Sequence, residues 1–82
     1  MGSRDPWRAA LDVKTLWQAH QALSDLRPPR ESTAAAWRTY YLRSAEVYAE
    51  VAEVDRGHHH EALYWASRER AKADNIGHQP AK

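Results

Sequence analysis

The chain has 82 residues, a formal net charge of +1, four Trp, four Tyr, no Phe and no Cys. That length holds one domain with a small core, and a chain this short buries only about 60–65% of the surface it exposes when unfolded. The lack of Cys excludes disulfides and thiolate metal sites, and the near-neutral charge argues against a dedicated nucleic-acid binder.

Three helices are expected, all-α, in one domain over residues 1–82 that is ordered from about 5 to 76, with a flexible tail over 77–82. The first opens at Asp5-Pro6, a good N-cap followed by the one helical position where proline loses no hydrogen bond. Leu11 or Val13, then Leu16, Trp17, His20, Leu23 and Leu26 or Arg27 recur at helical spacing and predict its buried face. Asp12 is an alternative cap, which would make residues 5–11 a separate turn. Pro28-Pro29 ends the helix, because neither ring donates an amide and the residue before each is pushed extended.

Ser32 or Thr33 caps the second helix. Its stripe is Trp37, Tyr40, Ser44, Val47, Val51 and Val54, widened by Tyr41 and Tyr48. The opposite face, with Thr39, Arg43, Glu46, Glu50 and Glu53, reads as solvated. Residues 55–57 break the pattern, and a short connection of this kind predicts an antiparallel helical hairpin. The competing arrangement is one long helix through 33–75 with Gly57 inside it, at a cost of about 1 kcal/mol. The third helix runs from about His58 to Asn75 with His59, Ala62, Leu63, Ala66, Arg70 and Ala73 inward. Asn75 and Gly77 are ordinary stop signals. The expected architecture is a three-helix bundle-like domain in which helices two and three form the hairpin. On this reading Trp37 and Leu63 belong to the core, while Tyr40 or Val54 is left at an edge.

The His58-His59-His60 run with Glu61 invites a metal site, since imidazole and carboxylate bind zinc. Successive helical residues point about 100° apart, however, so three adjacent His do not converge on one ion. No metal site and no cofactor are expected. The run reads instead as a polar, pH-sensitive corner, because histidine changes charge near neutral pH. No Gly-rich phosphate loop or nucleophile elbow is present, and the carboxylate pairs lie on the solvated face. No catalytic residue can be named and no enzyme is expected. Arg68, Arg70 and Lys72, interleaved with Tyr64 and Trp65, form a basic cluster, and Arg27 and Arg30 flank the diproline. They support the alternative of a weak nucleic-acid-associated regulator, although basic residues late in a helix are also what its dipole favours.

Aromatic residues concentrate at interfaces, and eight such rings exceed what a small core hides. The leading expectation is therefore a self-associating interaction module, a homodimer or a partner of a host regulatory protein. Its contacts would come from Trp37, Tyr40, Tyr41, Val47, Tyr48, Val54, Tyr64 and Trp65. No apolar run approaches the ~20 residues of a membrane span. The N-terminus lacks the apolar core of a signal peptide, so a cytoplasmic location is expected.

The run VDRGHHHEALYWA over residues 54–66, together with TLWQAH over 15–20 and Ala36-Trp37, resembles a family of small actinobacterial all-helical proteins. The resemblance covers most of residues 15–73. It implies a bacterial, cytoplasmic source and no activity to transfer. Gly57, Glu61-Ala62-Leu63 and Ala66 are weakly similar to one tetratricopeptide helix. Glu50 and Glu53 stand where that repeat wants small and aromatic side chains, and a single unit makes no solenoid.

Overall fold

The structure, a computed structural model, describes residues 6–77. It is all-α: α1 (Pro6–Leu11), α2 (Leu16–Asp25), α3 (Ala34–Val54), a 3-10 turn (Arg56–His58) and α4 (His59–Gly77). The expected tail from residue 78 onward lies outside the described residues.

The expected first helix is two. The alternative with a separate N-terminal turn is the correct one, but Asp12 does not cap the second piece. Thr15 does, its hydroxyl accepting from the Gln18 amide at 3.1 Å, while the Gln18 side chain accepts from the Lys14 amide at 2.9 Å. Residues 13 and 14 are non-helical in between. Thr33 caps α3 in the same way, accepting from the Ala36 amide at 3.1 Å.

Helices α3 and α4 form the antiparallel hairpin. The break is made by Asp55, whose backbone leaves the helical region (φ −100°, ψ 74°) and whose amide closes the last turn of α3 on the Val51 carbonyl at 2.8 Å. The 3-10 turn then reverses the chain. Gly57 has no positive φ, and a Cβ there would meet nothing within 4 Å. The reversal therefore does not depend on glycine, and Asp55 is the residue that stops α3.

Small side chains line the hairpin seam. Ala45, Ala52, Ala62 and Ala73 are fully buried, with Ser44 beside them and Val47 and Val51 carrying most of the volume. Packing at this density lets the helix axes approach closely. Leu16, Ala19 and Leu23 bring α2 onto one face of the hairpin, and α1 leans on α3 through Ala10 and Trp7. Principal extents of 43 × 36 × 18 Å correspond in the short direction to two helix layers. One face of the hairpin is thus covered, and the other is not.

Several expectations need correction. Tyr40 is no free edge: it is 7% exposed, and its phenol donates to the Leu23 carbonyl at 2.8 Å, clamping the end of α2 to α3. Tyr48 and Val47 are likewise buried, so three of the eight expected interface residues are spent inside the monomer. Leu63 is 39% exposed and Arg70 lies on the surface, while Glu69 takes the inward position between Ala66 and Ala73. The buried positions of α4 are 62, 66, 69 and 73: Ala62, Ala66 and Ala73 lie inward as expected, and Glu69 replaces Leu63 and Arg70. Trp17 is 69% exposed, because Ala19 occupies the inward place between Leu16 and Leu23. Trp37 is only half-buried. Asn75 does not stop α4, which continues to Gly77.

Candidate functional site

The hairpin corner and the start of α2 are built as one unit. Oδ2 of Asp55 accepts from the Leu16 amide at 2.9 Å, satisfying one of the unpaired donors at the start of α2 from 39 positions away in the chain. His58 Nδ1 donates to the same oxygen at 3.0 Å. The Leu16 amide first, and His58 next, hold the Asp55 carboxyl below its ordinary 3.8. Stability from this source is complete above the unfolded value and is lost as pH falls through the lower folded one. Thermal melts taken downward from pH 5 should therefore decline more steeply for the wild type than for Asp55→Asn once below about pH 4. Parallel declines would show that the carboxylate does not tie the corner to α2.

The three histidines do not act as a cluster. His58 faces Asp55, and His59 Nδ1 donates to the Ala52 carbonyl at 2.7 Å. His60 lies exposed, its ring edge-on to His59 at 5.2 Å. Arg56 reaches the same Ala52 carbonyl at 3.4 Å, and its 3.2 Å approach to His59 Nδ1 sets donor against donor. Among the described residues no group of three or more His, Cys, Asp or Glu is placed to hold a metal ion.

Beside this corner lies a groove of about 310 Å³, lined by Thr15, Leu16, Trp17, His20, Asp55, His58 and Glu61. Rings lead from it into the core. His20 packs edge-on against Trp65 at 5.2 Å, and Trp65 stacks on Tyr48 at 6.0 Å. Tyr64 meets Trp65 at 5.5 Å and stands 56% exposed. The Tyr48 phenol lies 2.8 Å from His20 Nδ1. Burial, then the fields of Glu69 and Tyr40, push that phenol far up, so it stays protonated and donates while Nδ1 accepts. His20 is in this way a hydrogen-bonded, half-buried histidine.

The expected basic cluster divides. The Arg68 guanidinium lies over Trp65 at 5.4 Å and donates to the Tyr64 hydroxyl at 3.3 Å. Lys72 pairs with the inward Glu69 at 3.4 Å and rests over Tyr41 at 5.3 Å. Arg70 points to the opposite side of the hairpin, among Ala49, Leu63 and Ala66. The three cations present no common surface to a phosphate backbone, which weakens the nucleic-acid reading.

What remains is an edge shared by α2 and α4. Its exposed rings are Trp17 and Tyr64, its half-buried ring is Trp65, and Glu61 and Arg68 are its charges. The sequence periodicity places Trp17 in the core; the signal that could have freed it is Thr15-x-x-Gln18, a capping box that sets Trp17 in the first turn of a new helix. No signal in the sequence connects Asp55 to Leu16. The arrangement can recognise and hold a surface through apolar rings and paired charges. The remaining expected contacts are placed apart: Val54 is exposed at the end of α3, and Trp37 and Tyr41 pack together with Tyr40 near its start. No helix among the described residues is long and apolar enough to cross a membrane. Comparison of the chain with family profiles, curated proteins and solved structures finds no match, so its function is read from this geometry alone.

Proposed function

We propose that the chain is a small, non-catalytic, self-associating interaction module of the cytoplasm, and that two copies pair through the α2–α4 edge. The observation that carries this reading is the exposure of two large aromatic rings, Trp17 and Tyr64, on an edge whose charges are self-complementary. Trp and Tyr dominate interface hot spots when a second surface desolvates them. A homodimer presents the same patch twice about a twofold axis. An axis passing between residues 64 and 65 of α4 sets Glu61 of one copy opposite Arg68 of the second, and the reverse. The rings lie between the two ion pairs. Thr15 and Asp55 hold the start of α2 rigid, so Trp17 is presented at small entropic cost.

Sedimentation equilibrium in the micromolar range tests the reading. A dimer is expected. Trp17→Ala combined with Tyr64→Glu should give monomers with unchanged helicity, since both side chains are exposed. Glu61→Arg alone should weaken the dimer about tenfold, roughly 1.4 kcal/mol. Adding Arg68→Glu to it should restore association, because the swapped charges again face each other. Ideal monomer behaviour of the wild type would overturn the proposal.

A further inference from the structure

The uncovered face of the hairpin is a continuous trough. Two lobes, of about 390 and 480 Å³, share Ala49 and Arg70. The floor is apolar and low: Leu11, Ala49, Leu63 and Ala66. Leu11 and Leu63 are 37% and 39% exposed. Floors made of alanine let a crossing helix come near the backbone, as the α3–α4 seam already does.

One wall is strongly acidic. Glu46, Glu50 and Glu53 follow each other along α3 at intervals of four and three. Against them stand Arg70 within the trough and Arg56, which lies 3.6 Å from Glu53 in a pair exposed on both sides. Such an exposed pair is weakly held, so Glu53 can exchange Arg56 for a partner's cation. Arg68 and Lys72 sit on the other side of α4, with Arg27 on the covered side beside α2. Within the lining of the trough itself, carboxylates therefore outnumber the one arginine, while Arg43 on the same side of α3 is held over the Trp7 ring at 5.9 Å.

We propose that the trough docks one amphipathic helix of a partner protein. That helix has a small-residue and leucine contact stripe, and Lys or Arg repeated at intervals of four and three to meet Glu46, Glu50 and Glu53. Residues 46–53 rise about 10 Å, so about two turns of the partner cover the acidic wall. A second copy of this chain is a poor occupant, because back-to-back packing brings two acidic walls into one interface. Anionic lipid is repelled by the same wall. The trough lies on the opposite face from the dimer contact proposed above, so each can fail without the other.

The test is an anisotropy titration of the full chain with two labelled helical peptides of identical Leu/Ala stripe, one flanked by Lys at these intervals and one by Glu. The Lys peptide should bind, with an affinity that falls as salt rises. The Glu peptide should bind about tenfold more weakly or worse. Glu46→Lys with Glu50→Lys should weaken the Lys peptide by at least about tenfold while leaving the melting curve and the sedimentation of the protein unchanged. Equal binding of both peptides, no binding of either, or binding that survives the charge reversal overturns the proposal. A change in the sedimentation of the protein alone on charge reversal also overturns it, because a second copy then occupies the trough.

Discussion

Tyr40→Ala should remove a quarter or more of the domain's stability and lower its melting point steeply, whereas Leu63→Ala should barely move it. Truncating a buried aromatic costs about 3–5 kcal/mol. The whole domain, at ~0.05–0.15 kcal/mol per residue over 82 residues, holds about 4–12 kcal/mol. Tyr40 is worth this much because it does two things at once. Its ring packs against Trp7, Trp37 and Tyr41 at centroid distances of 5.9, 5.8 and 5.5 Å, and its hydroxyl holds the Leu23 carbonyl. Tyr40→Phe separates the two contributions: it keeps the ring and removes one hydrogen bond to a carbonyl that still accepts from the Leu26 amide, at about 0.5–1.5 kcal/mol. Leu63 is exposed and loses little when truncated. Urea denaturation of the three variants checks the ranking, and a Leu63→Ala cost equal to that of Tyr40→Ala would place α4 in the wrong rotation.

Alkaline pH should unfold the protein cooperatively, and the two buried tyrosines should set the midpoint. Burial first raises both phenols; for Tyr48 the negative field of Glu69 and neighbouring Tyr40 add to it. A folded pKa above the unfolded value near 10 means that the unfolded chain releases its proton first. The stabilisation is therefore complete below about pH 10 and is lost as pH rises toward the folded values. Ultraviolet absorbance of tyrosinate should show the Tyr40 and Tyr48 phenols ionising only together with the loss of helical circular dichroism. In Tyr40→Phe/Tyr48→Phe the helix signal should persist to higher pH relative to its own neutral-pH stability. Ionisation of Tyr40 and Tyr48 with the helices intact would contradict their buried positions.

The sequence by itself determined the all-α class, the hairpin and most of the helix limits, since these depend on local chemistry. Pro28-Pro29 cannot continue a helix, Thr33 is a local cap, and the charged face of α3 is marked by Thr39, Arg43, Glu46, Glu50 and Glu53, all of which are exposed. The aromatic stripe was legible as a buried face, but not as an exhausted one: Tyr40, Val47 and Tyr48 are consumed by α2 and α4 and are not available to a partner. The inward face of α4 was legible only in part: Ala62, Ala66 and Ala73 are buried as expected, but Leu63 and Arg70 lie outside and Glu69 inside. Its inward residues are alanines at 62, 66 and 73, and alanine also stands at 71 on the outside, so apolar periodicity barely distinguishes neighbouring faces. Tertiary packing decided the matter, because only the small side chains fit the close α3–α4 seam, which leaves Leu63 outside and turns Glu69 in to meet Lys72. The same holds for Trp17, which hydrophobicity puts inside and the new helix start at Thr15 turns out. The Asp55–Leu16 bond, on which the corner and its acid response depend, joins residues 39 positions apart. No local rule reaches across that separation, since the carboxylate finds the amide only after the hairpin has closed and α2 has docked.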